Sequence, residues 1–281
     1  VNPSTQSPSN VAFSWRKSIF RVVRFVVIAY LLIVVAFVFF ENSLLFFPSR
    51  YPQGDWELPS GVRDAWFTAA DGTKLHGWYI EGEPGRPVVL FCHGNAGNIA
   101  VRRHLMTLFA EMKVSALLFD YRGYGRSEGS PNGPGILADA RAARAWLAKR
   151  VNVPEDQVVL WGESIGGAVA IDLASEGARG LIVENTFHSL PEVAKHHFPW
   201  LPVKLCMRNR FESGIKIGNY RGPLLQFHGD VDEVVPYSQG QKLFDRANQP
   251  KTFVTVPGAK HNDPRTAATL TAIELFLDEL D

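Results

Sequence analysis

The sequence predicts an α/β protein with a mostly parallel central sheet and helices on both faces, behind one N-terminal transmembrane helix. Three observations predict it. From residue 61 onward, short apolar runs alternate with stretches of helical spacing, the rhythm of repeated βα units. Glycine-rich turns follow several of the runs, as at the carboxyl ends of strands in open sheets. Phe25 to Phe40 is apolar throughout apart from the Tyr30 hydroxyl. At 281 residues, 46% hydrophobic and 20% charged, the chain is long enough for a full core. It is unlike a disordered or collagen-like chain.

The net charge of +1 hides an asymmetry. Arg16, Lys17, Arg21 and Arg24 give residues 1–24 four positive charges and no negative one, so the remainder carries −3. That excludes a strongly basic nucleic-acid binder. Residues 1–21 read as a disordered basic tail and 22–40 as a signal anchor. Nineteen residues at 1.5 Å rise span about 28 Å, close to the roughly 30 Å hydrocarbon layer. Ala36 offers a cleavage site for a signal peptide, but Phe37-Val38-Phe39-Phe40 makes a poor start for a soluble chain. A buried core helix fits badly with an all-round apolar run beside a basic flank. The basic flank places the N-terminus in the cytoplasm and the rest on the non-cytoplasmic side. Residues 41–60 are expected to be a juxtamembrane linker, and 61–281 one domain.

Within that domain, Val62–Thr68 and Leu75–Ile80 flank Asp71-Gly72, a hairpin signal that adds an antiparallel edge. Pro87–Cys92 and Val114–Phe119 read as buried strands around a helix at Ile99–Met112. Helix Leu137–Lys149, strand Val158–Trp161, helix Ile165–Ser175 and strand Leu181–Val183 follow. Leu224–Phe227, Ser238–Ala247, Lys251–Val256 and Pro264–Leu280 continue strand, helix, strand, helix. The rhythm breaks at residues 186–222, where His196-His197-Phe198-Pro199-Trp200-Leu201-Pro202 is too proline-broken for a regular unit. An insertion of this length is expected to be a lid or binding loop. Its Phe198, Trp200 and Leu201 are candidates to cover an apolar group.

Gly162-Glu163-Ser164-Ile165-Gly166 follows a strand and opens a helix. By composition about 0.1 such matches arise by chance, but strand–turn–helix context makes Ser164 a candidate nucleophile. A serine hydroxyl needs a base, and His261 lies between the last strand and the last helix, at the same sheet end. The orienting acid falls between them in sequence, and Asp232 is the first choice, with Asp230 and Glu184 as alternatives. The backbone N–H of Ile165 and that of Asn95, with Ala96 second, are candidate oxyanion donors. His93 is expected to brace its loop. Asp120 and Arg122 are expected to pair or hydrogen-bond structurally. The adjacent His196 and His197 point apart, so no metal site is expected. Cys92 and Cys206 fall in different layers, against a disulfide.

His93-Gly-Asn-Ala-Gly, Asp120-Tyr-Arg-Gly-Tyr-Gly, Gly162-Glu-Ser164-Ile-Gly-Gly, His228-Gly-Asp-Val-Asp232 and Gly-Ala-Lys-His261 together resemble the α/β-hydrolase superfamily over residues 60–281. Leu45-Phe-Phe-Pro-Ser-Arg-Tyr-Pro resembles its single-pass, membrane-anchored branch, which includes alpha/beta-hydrolase domain-containing protein thirteen. Related branches hold protein depalmitoylases and the proline-iminopeptidase group of serine peptidases. The resemblance implies a Ser-His-Asp hydrolase without cofactor or metal. An acyl ester or thioester, small or lipidic, is the expected substrate. A serine aminopeptidase using Glu163 or Glu184 to hold an amine is one rival. A catalytically silent binding scaffold is another. The sequence gives no oligomeric state.

Overall fold

The computed structural model describes residues 10–280, with side chains from Trp15 onward. Among the described residues ten strands form: β1 Phe47–Pro48, β2 Val62–Thr68, β3 Lys74–Ile80, β4 Val88–Cys92, β5 Ala96–Gly97, β6 Ser115–Asp120, β7 Val158–Glu163, β8 Gly180–Glu184, β9 Leu224–Gly229 and β10 Lys251–Val256. The helices are α1 Asn10–Leu45, α2 His104–Glu111, α3 Gly133–Val151, α4 Ile165–Ala174, α5 Leu190–His197, α6 Val203–Cys206, α7 Ser213–Lys216, α8 Tyr237–Arg246 and α9 Ala267–Asp278.

Eight strands make the main sheet in the order β10-β9-β8-β7-β4-β6-β3-β2. All its pairings are parallel except those of β3 with β2 and with β6. Burial on both faces explains the unbroken apolar runs of β4, β6 and β7. Alternation then divides each strand between two cores. Val88, Leu90 and Cys92 join one cluster with α3, α4 and the insertion, while Val89 and Phe91 join the other with α2 and α9. Every residue of α4 is buried, so the helix that follows β7 is wedged into the centre of the fold.

Three expectations are corrected here. Helix α1 already runs from Asn10 through the expected tail region and continues past Phe40 to Leu45; residues 1–9 lie outside the described chain. Its basic residues are good helix formers, and Glu41 does not end it because its carboxylate is buried rather than solvated. The expected juxtamembrane linker 41–60 begins inside α1, which ends at Leu45, and beyond it the chain is tied to the domain. β1 pairs in parallel with β5, and Phe47 N–H donates to the Asn95 carbonyl at 2.9 Å. The expected helix Ile99–Met112 divides into a 3₁₀ turn, Ile99–Arg102, capped by Asn98, and then α2. α1 is long and apolar enough to cross a membrane.

The insertion after β8 holds α5, α6 and α7, and it rests against α1. Glu41 accepts the backbone N–H groups of Arg208 at 3.0 Å and Asn209 at 2.7 Å, and the Asn209 side-chain amide at 2.9 Å. Asn209 also donates to Asn42 and accepts Gly133 N–H at the start of α3. One asparagine thus ties the apolar helix, the insertion and the domain together.

Candidate active site

Ser164 sits between β7, fourth in the eight-stranded sheet, and α4. Its backbone is at φ 54°, a region costly for a residue with a side chain. The surroundings hold it there. Ser164 N–H donates to the Glu184 carbonyl at 2.9 Å, and the Ser164 carbonyl accepts Thr186 Oγ1 at 2.7 Å and Gly167 N–H at 3.0 Å. A side chain on Gly162 would strike the backbone of Gly166, and one on Gly166 would strike the Cys92 and His93 carbonyls. These glycines let α4 lie directly on the strands, which aims the serine out of the sheet end.

Three expected residues come together from three separate loops. His261 Nε2 lies 3.1 Å from Ser164 Oγ, and His261 Nδ1 lies 2.7 Å from Asp232 Oδ2. Asp232 Oδ1 accepts Val234 and Val235 N–H, both at 2.8 Å. The carboxylate is therefore fixed by its own loop as well as by the imidazole. His228 secures that loop by donating from Nε2 to the Val235 carbonyl at 2.9 Å. The alternatives are occupied elsewhere. Asp230 accepts Gly258 N–H at 2.7 Å, and Glu184 binds Arg265 at 2.9 Å and the Trp161 indole N–H.

The loop after β4 carries the second expected donor. Gly94 N–H is taken by Glu163 Oε1 at 3.1 Å. Asn95 is held from both ends: its carbonyl accepts Phe47 N–H and the Tyr124 hydroxyl at 2.6 Å, and its side-chain amide donates to the Leu45 carbonyl at 2.8 Å. Ile165 N–H opens α4, at the positive end of the helix dipole. His93 braces the loop as expected: it is buried, and its Nδ1 donates to the Gly94 carbonyl at 2.7 Å. Burial pushes its pKa down to about 3, so it stays neutral near pH 7.

Four charged residues that the sequence did not single out together form a network beside Ser164, beginning at its neighbour Glu163. Glu163 Oε1 accepts Arg102 Nε at 2.7 Å, and Arg265 stands 3.6 Å from Glu163 Oε2 while pairing with Glu184. Burial opposes ionisation of Glu163, but Arg102 and Arg265 outweigh it and hold its carboxyl at about 2. Arg102 also donates to the Ala96 carbonyl at 2.9 Å, so this group clamps the Gly94–Ala96 loop. Asn185, another unanticipated residue, donates to the His261 carbonyl at 2.9 Å and accepts Gly229 N–H at 3.0 Å. It joins the histidine loop to the acid loop.

Asp120 and Arg122 do not pair with each other. Arg122 makes a fork on Asp139, with bonds of 2.7 to 3.0 Å, and reaches Asp71. Asp120 is buried, accepts Ile99 N–H at 2.9 Å and lies 3.6 Å from His93 Nε2. Burial pushes its carboxyl up to about 8. Cys92 and Cys206 are both free thiols. In the insertion, Leu201 is buried in the core, whereas Phe198 and Trp200 are 46% and 55% exposed. His197 donates from Nε2 to the Val234 carbonyl at 2.8 Å, so the insertion also touches the acid loop.

Comparison with known proteins gives a consistent picture. A family profile described as "alpha/beta hydrolase fold" matches residues 87–202. An uncharacterised protein of Mycobacterium tuberculosis is 38% identical over 247 residues, covering 85% of this chain and 88% of its own. The alpha/beta hydrolase domain-containing protein WAV2 of Arabidopsis thaliana is 31% identical over 258 residues, covering 82% and 84%. The Pyrococcus furiosus esterase Pf2001 superposes with a TM-score of 0.68 at 20% identity, covering 84% of this chain and 98% of its own, a likeness of fold. With its sheet order, its serine elbow and these relatives, the chain belongs to the alpha/beta-hydrolase superfamily, in the group of alpha/beta-hydrolase domain-containing proteins to which WAV2 belongs.

Proposed function

We propose that the protein is a membrane-anchored serine hydrolase that cleaves acyl esters or thioesters. One observation carries the reading: the unbroken chain from Ser164 Oγ through His261 to Asp232, seated at a strained strand–helix turn. Ser164 Oγ attacks the acyl carbonyl while His261 Nε2 takes its proton. Asp232 holds the Nδ1–H tautomer and stabilises the imidazolium. Ile165 and Asn95 N–H receive the developing oxyanion. His261 then protonates the leaving alkoxide or thiolate, leaving an acyl-enzyme. A water molecule gives its proton to His261 and attacks the acyl carbonyl, and Ser164 leaves with that proton. The aminopeptidase alternative needs a carboxylate free to bind an amine, and both Glu163 and Glu184 are paired with arginine.

The anchor reading rests on the length and apolarity of α1. The basic residues near its start favour a cytoplasmic N-terminus with the catalytic domain on the other side. The experiment is fluorophosphonate labelling of the detergent-solubilised full chain, with turnover of chromogenic esters of graded acyl length. Labelling at Ser164 and ester turnover, both abolished in Ser164→Ala, are expected. Turnover surviving in Ser164→Ala would refute the assignment.

A further inference from the structure

The contact between α1 and the insertion bears on depth. One face of α1 packs on the domain: Val34, Phe37, Glu41 and Leu45 recur at helical spacing and are wholly or partly buried. The opposite face, with Leu31, Leu32, Val35, Phe39 and Phe40, stays exposed. The Tyr30 hydroxyl donates to the Trp200 carbonyl at 3.0 Å, and the Arg208 guanidinium donates to the Val38 carbonyl at 2.8 Å. The stretch from Trp200 to Arg208 therefore runs alongside the helix from Tyr30 to Glu41.

Tyr30 lies within the apolar run, ten residues before Phe40. Ten residues measure about 15 Å along the helix axis, which is half of a hydrocarbon layer about 30 Å thick. If α1 spans the bilayer, the chain bonded to Tyr30 shares its depth. The side chains there suit such a place. Phe198, Trp200 and Leu205 are 46%, 55% and 88% exposed, and among the described residues no apolar partner covers them as Leu201 is covered. The insertion is also net basic in sequence. Residues 186–222 hold six Lys and Arg against two Glu, although the chain after residue 24 is net negative. Lys195 lies three residues before Phe198, and a lysine stem reaches from an apolar layer to lipid phosphates.

We propose that the insertion is immersed in the leaflet beside the anchor, with Phe198, Trp200 and Leu205 among the lipid acyl chains. This rests on the reading of α1 as a membrane span. The insertion then meets lipid directly, and an acyl chain reaches the segment that His197 ties to the Asp232 loop from within the leaflet instead of through water.

The test uses the full chain carrying Cys206→Ser, in which Cys92 is buried, reconstituted in nanodiscs of phosphatidylcholine and phosphatidylglycerol. Single cysteines at Leu31→Cys, Leu205→Cys and Lys149→Cys carry a bimane fluorophore. Lipids spin-labelled on the acyl chain act as quencher. Lys149 is the aqueous reference, sixteen residues or about 24 Å along α3 from the Gly133–Asn209 contact. Retained fluorophosphonate labelling shows that each variant is folded. The Leu205 probe is expected to be quenched within about twofold of the Leu31 probe and at least about fivefold more than the Lys149 probe. A quenched Leu31 with Leu205 matching Lys149 overturns the proposal and leaves the anchor intact, whether water or a second copy of the chain covers the insertion. An unquenched Leu31 overturns the anchor reading and the proposal with it.

Discussion

Removing the Glu41 carboxylate in Glu41→Ala strips a buried acceptor from three donors at once. Arg208 N–H, Asn209 N–H and the Asn209 side-chain amide all end on it, at 3.0, 2.7 and 2.9 Å. A hydrogen bond to a charged acceptor is worth about 1.5–3 kcal/mol at most, and typical ones about 1 kcal/mol. The Arg208 guanidinium contributes little because its side chain is more than half exposed. Counting each of the three donors at only the typical value of about 1 kcal/mol gives a loss of at least about 3 kcal/mol. For a domain of this size each kcal/mol moves Tm by about 2–4 °C, so Glu41→Ala should unfold about 6–12 °C lower. The assay is thermal unfolding in detergent micelles followed by tryptophan fluorescence. Glu41→Gln keeps one acceptor oxygen for Asn209 but turns an amide N–H toward Arg208, and should fall between Glu41→Ala and the parent. A Tm for Glu41→Ala within about 1 °C of the parent would refute the claim that this junction is a folded part of the domain.

Two further expectations follow from the site. Asp232→Asn keeps an acceptor for Val234 and Val235 N–H but faces His261 Nδ1 with the wrong tautomer. Its kcat on a chromogenic ester should fall by about 10⁴ with little change in Tm, and a loss under tenfold would remove Asp232 from its role. Asp120 gives a pH signature. Its folded carboxyl, pushed up to about 8 by burial, keeps a proton that the unfolded chain releases near its ordinary 3.8. Stability therefore falls as pH rises between these values, by up to about 1.4 kcal/mol per unit, and levels off above about 8. Asp120→Asn keeps an acceptor for Ile99 N–H and has no proton to lose. Urea unfolding should show it gaining on the parent from pH 5 to pH 8, and an unchanged difference across that range would count against a protonated Asp120.

Much of the site was legible because its chemistry is local in sequence. The turn around Ser164, the loop of His261 and the pair Asp230 and Asp232 each declare themselves within a few residues of a strand end. The choice of Asp232 over Asp230 follows from a difference of loop position that the sequence could only rank. What stayed hidden depends on pairing between distant, ordinary polar residues. Glu41 resembles a helix end until Asn209, 168 positions later, covers it. The Arg102, Glu163, Arg265 and Glu184 group draws on four separate segments, and no spacing rule joins them. Asn185 looks like any loop asparagine, yet its amide joins the loop of His261 to that of Asp232. The ribbon of β1 and β5 is only two residues deep per strand, too short for any alternation of polarity to reveal.

That ribbon changes where the folded domain begins. Leu45 and Phe47 hold Asn95, and Ser49 receives the Asn98 side chain at 3.1 Å while its own N–H meets the Gly97 carbonyl. Proteolytic shedding C-terminal to Ser49 would release a domain whose core strands are whole but whose loop facing Ser164 has lost these supports. If the proposed hydrolase activity holds, shedding of that kind would lower it instead of dispersing a fully active soluble form.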